Sequence, residues 1–216
     1  MFKYSFTMLI MFLLNAFIAK DAIGQSVTDL NQLETFNRKA EIIKAKDKNA
    51  IVKLDAREND GTAWIKSSNF KNGTIEVDIQ GKDVVQQSFV GIAFHKKNSK
   101  TYEVVYLRPF NFNSPNALNQ SHQIQYTCLP NYDWKILREK HPGIYEHKLN
   151  KTVLPNDWVH VKIIVNGKSI LAFINNESNP SLSVTALQGP MDGEVGFWVG
   201  NNSDGKFRNL VVNKTK

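Results

Sequence analysis

Three polar side chains alternate with aliphatic ones in the segment GTIEVDIQG, residues 73–81. Glu76, Asp78 and Gln80 stand at every second position, and in a β-strand such residues lie on one face. Glycoside hydrolysis needs two carboxyl groups close together, one that protonates the leaving oxygen and one that acts as nucleophile or base. Glu76 is therefore a candidate catalytic residue. The alternative is a solvent-facing strand whose carboxylates are paired across strands.

A second strand-like segment, TYEVVYLRPFNFN (101–113), carries aromatic and charged residues on the same face. Tyr106 and Arg108 share that face, where a ring can stack on a sugar and a guanidinium can grip neighbouring oxygens. An aromatic ridge in the core is the alternative. Glu103 lies on the opposite face among aliphatic residues, and a buried carboxylate there must be paired. Glu103 is a second candidate catalytic acid, and pairing with Arg108 or His122 is the alternative.

Amide and aromatic side chains continue along the chain after this strand. Asn111, Gln125 and Trp134 follow within the next segments. Because consecutive elements are usually adjacent in space, we expect these residues to converge with Tyr106 and Arg108. Amides that hydrogen-bond hydroxyl groups, together with stacking rings, are typical of a carbohydrate site. Trp134 could instead anchor the segment that carries it.

Other common kinds of site have no support in the sequence. The five histidines show no metal-ligand spacing, so we expect no metal or other cofactor. The segment NNSDG, 201–205, could surround a structural Ca²⁺, and an ordinary turn is the alternative. Cys128 is the only cysteine, so no internal disulfide can form, and we favour packing over a nucleophilic role. No phosphate loop or nucleophile elbow is present.

The N-terminal residues have the pattern of a secretory signal peptide. Lys3 precedes an apolar run over 6–19, and the small residues Ala22 and Gly24 follow it. We expect cleavage after Gly24, which leaves 25–216 as the mature chain. The chain should therefore be secreted or periplasmic, with no transmembrane segment after cleavage.

The charge of the chain limits its partners. The 216 residues carry a formal net charge of +7, with the lysines scattered along the sequence. An exported protein has little access to nucleic acid, so we exclude that partner. Attraction to anionic polysaccharide or to an anionic cell surface remains open. We expect a monomer that binds carbohydrate.

About a dozen short apolar runs, separated by turn residues, predict an all-β sandwich or barrel. A short helical turn is expected within 26–40. The exception to the strand pattern is 109–157, which is long and rich in aromatic and charged residues. Because it is too apolar for disorder, we expect a folded insertion packed on a single domain, 25–216.

Several of these segments together resemble the concanavalin A-like lectin/glucanase superfamily. They are GTIEVDI, FVGIAFH with YEVVYLRPFN, DWVHVKIIVNGKSILAFIN and GEVGFWVGNNSDGKFRNLVV. Within that superfamily the chain is most similar, over about 40–213, to the bacterial 3-keto-disaccharide hydrolase domain, which is family 16 glycoside hydrolase-like. The resemblance implies a LamG-like jelly roll of two antiparallel sheets with a concave sugar-facing side.

Family 16 hydrolases carry Glu-x-Asp-x-(x)-Glu, in which the last residue is the acid. Glu76 and Asp78 match the first two positions, but Gln80 and Gly81 stand where the acid should be. Because Gln cannot protonate a leaving oxygen, the hydrolase motif is not intact. The sequence thus favours an exported carbohydrate-binding domain, with the glycan on the concave face and rim. A hydrolase of glycosides or 3-keto-glycosides, and a protein-interaction or adhesion domain, are the alternatives.

Overall fold

A computed structural model describes residues 27–44, 50–189 and 191–215, and the predicted signal segment, 1–24, lies outside the described residues. Within these ranges the chain is built almost entirely of strands. They are β1 (Leu33–Phe36), β2 (Ala40–Lys44), β3 (Ala50–Leu54), β4 (Gly61–Ile65), β5 (Gly73–Gln80), β6 (Val90–Asn98), β7 (Thr101–Leu107), β8 (Ile124–Leu129), β9 (Glu146–His147), β10 (Trp158–Asn166), β11 (Ser169–Ile174), β12 (Leu182–Thr185), β13 (Glu194–Val199) and β14 (Gly205–Lys214).

Helical structure is short and lies between the strands. The α-helices are α1 (Ala117–Gln120) and α2 (Trp134–Lys140), and 3₁₀ turns occupy Leu30–Gln32 and Pro109–Asn111. Neither α-helix, nor any other helical stretch in the described ranges, has the length and hydropathy to span a membrane.

The strands form two antiparallel sheets of seven strands each. The first sheet has the order β1-β4-β13-β6-β7-β8-β9, and the second has the order β12-β11-β10-β5-β14-β3-β2. Every neighbouring pair runs antiparallel. Strands that follow one another in the chain often lie in opposite sheets, as β4 and β5 do. This arrangement confirms the predicted all-β jelly-roll sandwich.

The inner faces of the two sheets form the main apolar core. In β5 the residues Ile75, Val77 and Ile79 point inward and are fully buried, while the residues between them are half-buried on the outer face. Phe197 of the first sheet stacks on Phe207 of the second, with ring centroids 4.7 Å apart. Burial of each such side chain stabilises the fold by about 1.5–3 kcal/mol. Because the three aliphatic residues of β5 lie on one face, this energy favours the orientation in which that face meets the core.

The twelve apolar runs of the sequence all form strands, and two further strands are present. β1 was not predicted because only Leu33 of its four residues is buried, which leaves no alternating pattern. β9 has two residues, too few to show a period. The expected helical turn is present at Leu30–Gln32, where Asp29 caps it with its side chain.

The segment 109–157 is folded and belongs to the first sheet. β8 and β9 extend that sheet from β7, and α2 packs on β8. Leu137 and Tyr145 are buried, so the apolar residues of this segment anchor it.

Cys128 lies in β8 and is fully buried in the main core. Burial, together with the nearby Glu103 carboxylate, raises the pKa of its thiol to about 12. The thiol therefore stays protonated at neutral pH, which does not suit a nucleophile.

We predict that Cys128→Ala lowers the free energy of unfolding by about 1 kcal/mol and leaves ligand binding unchanged, because the thiol only fills space. Chemical denaturation and a binding assay on the same preparation measure both effects. A normally folded variant that has lost all activity would contradict the packing role.

Candidate functional site

A cavity of about 500 Å³ opens on the outer face of the first sheet. Its floor consists of side chains of β7, β8 and β13 that point away from the main core. Its walls come from five places: the loop before β4, the loop before β6, the segment after β7, α2 with the residue that precedes it, and the loop after β13. The residues of these walls include Asp60, Gln86, Phe89, Phe110, Asn111, Asn119, Asp133, Trp134 and Arg138.

Aromatic rings form the floor and one wall of the cavity. Tyr106 and Trp198 lie side by side, with ring centroids 4.9 Å apart. Phe89 packs edge-on against Tyr106 at 6.3 Å and against Phe110 at 5.3 Å. Tyr106 and Trp198 belong to a second apolar cluster outside the main core, together with Trp64, Ala93, Tyr102 and Val104. The aromatic face predicted on β7 is therefore not part of the main core but supports the cavity.

Arg108 is buried behind the floor, with 5% of its surface exposed. Its Nη1 donates to the carbonyl oxygen of His122 at 2.9 Å, and its Nη2 donates to the Tyr106 hydroxyl at 2.8 Å and to Gln125. Its guanidinium carbon lies 4.9 Å from the centre of the Tyr106 ring. The sequence predicted a guanidinium that binds sugar oxygens. Instead, its Nη donors bind other groups of the protein, and Arg108 holds Tyr106 and Gln125 of the floor in place.

Gln125 is fully buried in β8, directly opposite Tyr106 of β7. Burial raises the pKa of Tyr106 to about 12, so its hydroxyl keeps its proton and donates to Gln125 Oε1 at 2.8 Å. Gln125 thus holds the floor residues in place from below. Its own Nε2 is buried and has no partner among the described residues.

Glu146 connects the floor to the α2 wall. Its carboxylate accepts from Arg138 Nε at 2.9 Å and Nη2 at 2.7 Å, and lies 2.9 Å from His122 Nδ1 and 3.7 Å from Arg108 Nη1. Burial lowers the pKa of His122, so its ring is neutral at pH 7. A buried carboxylate shared by two guanidinium groups is satisfied in charge and in hydrogen bonds.

Trp134 and Asn111 form opposite walls of the cavity. Trp134 begins α2 and is 49% exposed, and the Arg138 guanidinium lies 5.2 Å from its ring centre. Asn111 is buried at the end of the 3₁₀ turn, where its Nδ2 lies 3.4 Å from the His122 carbonyl oxygen. Trp134 is therefore half exposed at the cavity and contacts Arg138, so its ring is not the fully buried anchor of the alternative.

Asp60 stands on a further wall, in the loop that precedes β4. Arg38 shapes this loop from behind by donating to the carbonyl oxygens of Asn59 at 2.6 Å and Gly200 at 2.9 Å. Gly61 is required beside it, since a Cβ there would lie 2.4 Å from the Arg38 side chain. Burial raises the pKa of Asp60 to about 6, although the charge of Arg38 opposes the shift.

Glu76 does not lie in this cavity. It belongs to β5 of the second sheet and points to the outer face of that sheet, where it lies 3.4 Å from Lys162 and 3.5 Å from His160. Asp78 beside it is paired with His160 at 2.9 Å. Glu76 is thus separated from the other candidate residues, and its carboxylate is paired across strands as in the alternative given for it. The alternating pattern of β5 predicts that Glu76 faces outward. Which of the two sheets contains β5 depends on its pairing with distant strands.

Glu103 does not reach the cavity either, because it points from β7 into the main core. His95 Nδ1 lies 2.5 Å from its carboxylate, and the Tyr126 hydroxyl also donates to it. The other ring nitrogen of His95 lies 2.9 Å from the Lys71 carbonyl oxygen. The predicted burial is present, but the partners are His95 and Tyr126 instead of Arg108 or His122.

The structure thus brings five predicted site residues together and separates two. Tyr106, Arg108, Asn111 and Trp134 line one cavity, and Gln125 lies beneath it, bonded to Tyr106 and Arg108. Sequence reasoning missed the following members of the site: Asp60, Phe89, Phe110, His122, Asp133, Arg138, Glu146 and Trp198. No local pattern marks most of them, since they meet only through the folding of distant segments. The aromatic content of the GFWVG segment was a usable signal for Trp198.

No group of three or more His, Cys, Asp or Glu side chains that could hold a metal ion is present in the described part of the chain.

The similarity found between this chain and known proteins lies in their structures. No family model matches its sequence, and no curated protein matches it either. The carbohydrate binding module CBM66 from Bacillus subtilis is similar with a TM-score of 0.58 at 14% identity, over 83% of this chain and 93% of that one.

Two further solved structures have the same architecture. The exoplasmic/lumenal domain of VIP36, in a form with Ca²⁺ and Man3GlcNAc bound, has a TM-score of 0.53 at 13% identity, over 86% of this chain and 88% of that one. A candidate glycosyl hydrolase from Parabacteroides distasonis has a TM-score of 0.53 at 12% identity, over 87% and 90% of the two chains. These solved structures therefore share with this chain the fold of a sandwich of two antiparallel sheets.

We predict that Glu103→Ala lowers the free energy of unfolding by about 3–5 kcal/mol, because it leaves His95 and Tyr126 without their buried partner. Glu76→Ala is the matched control. It removes partly exposed pairs and should cost about 0–1 kcal/mol. Urea denaturation of both variants provides the comparison, and equal stabilities would show that the buried cluster is not structural.

Proposed function

We propose that this chain is an exported carbohydrate-binding domain that holds a glycan in the cavity on the outer face of the first sheet. The observation that carries the proposal is the composition of that cavity. Flat rings of Tyr106, Trp198 and Trp134 surround it together with polar groups of Asn111 and Asp60. Rings suit the apolar faces of sugars, and amide and carboxyl groups suit their hydroxyls.

The five predicted residues have distinct roles in this proposal. Trp134 supplies an exposed stacking surface, and Tyr106 supplies the floor beneath the sugar. Asn111 presents an amide from the wall. Arg108 and Gln125 hold the floor rigid through buried hydrogen bonds, which keeps the binding geometry fixed before the ligand arrives.

The structural neighbours support this class of ligand. One of them is a carbohydrate binding module, and another is a lumenal domain solved with Man3GlcNAc bound. Export is supported by the signal-like residues 1–24 and agrees with the exoplasmic/lumenal placement of that second neighbour. Binding as a monomer without a cofactor remains part of the proposal.

Hydrolysis of glycosides is the second candidate function. It is favoured by the pKa of Asp60, about 6, in a cavity that also contains Asp133, and by the candidate glycosyl hydrolase among the neighbours. A glycosidase needs one protonated and one ionised carboxyl on either side of the bond. Glu76 lies on the outer face of the second sheet, and Glu103 lies in the main core. They are too far apart in the fold to act as the acid and base of one site.

We predict that Trp134→Ala weakens glycan binding by about 1–2 kcal/mol, because a stacking surface is lost. The melting temperature should change little, since this ring is half exposed. Trp158→Ala is the matched control: its ring lies on the second sheet, with the Arg208 guanidinium 4.3 Å from the ring centre. A glycan array identifies ligands of the mature chain, and calorimetry then compares the variants.

The outcomes separate the candidates. If Trp134→Ala binds glycan as the wild type does and Trp158→Ala does not, the glycan binds to the second sheet and the proposed location is wrong. If an array ligand is cleaved, hydrolysis replaces simple binding. If the wild type binds nothing on the array, the protein-interaction alternative takes the place of both.

A further inference from the structure

The cavity has a charge balance that differs from that of the whole chain. The chain is strongly basic, with a formal charge of +7, which suggests anionic glycans as partners. The charged groups at the cavity are different. They are the two guanidinium groups of Arg108 and Arg138 and the three carboxyl groups of Asp60, Asp133 and Glu146.

The guanidinium groups are engaged by the protein itself. Both Nη atoms of Arg108 donate to partners in the floor, and Nε and Nη2 of Arg138 donate to Glu146. A carboxylate or sulfate group of a ligand would have to compete with protein acceptors for the Nη donors of Arg108, and with Glu146 for Nε and Nη2 of Arg138. Since Glu146 is already buried and bidentate, that exchange would leave a buried carboxylate without its partners, which is unfavourable.

The carboxyl groups on the walls are engaged differently. Asp133 uses one oxygen to accept from the Ile136 N–H at 2.8 Å, as the cap of α2. Asp60 is half-buried in the wall, and its loop is held in place by Arg38. A carboxylate in this position accepts hydrogen bonds from hydroxyl groups and repels a second anion.

On the premise of the proposed function, we propose that Asp60 is the hydroxyl-accepting group of the cavity. The ligand it selects is a neutral, hydroxyl-rich sugar and not one that carries carboxylate or sulfate groups. The basic character of the chain then lies on surfaces outside the cavity.

The protonation state of Asp60 should control binding. The pKa of its carboxyl group is raised to about 6 by burial, with Asp133 adding to the shift and Arg38 and the Asn201 backbone N–H opposing it. Tyr102 also lies close, and burial keeps its hydroxyl protonated. Hydroxyl donors bind the ionised carboxylate more strongly than the protonated acid. The affinity should therefore be highest above pH 6 and fall as the pH drops through that value.

Besides Asp60 and the Asp133, Arg108 and Tyr106 side chains described above, His122 and Arg138 face the same cavity. His122 has a lowered pKa, so it is neutral at pH 7 and gains charge only in more acidic solution than an ordinary histidine. Arg138 keeps its charge throughout this range. Loss of affinity that begins near pH 6 and disappears in an Asp60 variant is therefore specific to Asp60.

The test uses the mature chain and pairs of oligosaccharides that differ only at C6. Oligomers of glucose, mannose and galactose are compared with their C6-carboxylated counterparts at pH 7.5 and 150 mM salt by calorimetry. We expect binding of a neutral member, at least 10-fold weaker binding of its carboxylated counterpart, and a several-fold loss of affinity for the neutral member at pH 5.

Asp60→Asn and Asp60→Ala test the residue itself. Because burial disfavours the charge of Asp60, its removal should not lower the melting temperature. Asp60→Ala should weaken binding of the neutral sugar roughly 10-fold or more, the range for a hydrogen bond to a charged group. Asp60→Asn should remove the pH dependence. Asp157→Asn, at an exposed carboxyl before β10, is the control and should change neither.

Equal or tighter binding of a carboxylated member, abolished by Trp134→Ala, would overturn this inference and leave the proposed function intact. Unchanged affinity and pH dependence in the Asp60 variants would overturn it as well. If a sugar acid found on the glycan array binds while no neutral member does, this inference fails and the proposed function stands; if nothing on the array binds, both fail.

Discussion

The rest of the site depends on two buried charged side chains, one in β7 and one just after it. Each needs partners of its own, on opposite faces of the sheet. Glu103 points into the core and Arg108 points outward, yet both are almost completely buried. A charge removed from water requires a partner and hydrogen bonds, or its burial destabilises the fold. His95 and Tyr126 meet this requirement on the inner face, and Gln125 and Glu146 meet it on the outer face.

The outer pairing also shapes the cavity in which we propose that a ligand binds. Glu146 contacts both Arg108 and Arg138, and these contacts hold α2 against β8. As a result, Trp134 of α2 lies at the cavity with the aromatic floor. The cavity therefore results from the same contacts that satisfy the buried guanidinium. The floor residues Tyr106, Arg108 and Gln125 are held to one another by hydrogen bonds. Under the proposed function, the contacts that stabilise this part of the fold also shape the ligand site.

Local patterns in the sequence predict most of the strands and five residues of the candidate site, but not the sheet to which each strand belongs. The period of two placed Tyr106 with Arg108 and placed Glu103 opposite, as the structure has them. The same period could not place Glu76, because outer faces exist on both sheets and β5 pairs with β10 and β14 far along the chain. Asp60 was missed for a related reason: it is an ordinary loop residue until Arg38 and the Gly200 region fold around it.

The most direct test of the account is a crystal structure of the mature chain with a bound neutral oligosaccharide. The account predicts a sugar ring over Tyr106 and Trp198, flanked by Trp134, with hydroxyl groups within hydrogen-bonding distance of Asp60. A sugar bound instead on the outer face of the second sheet, against Trp158 and Glu76, would contradict it.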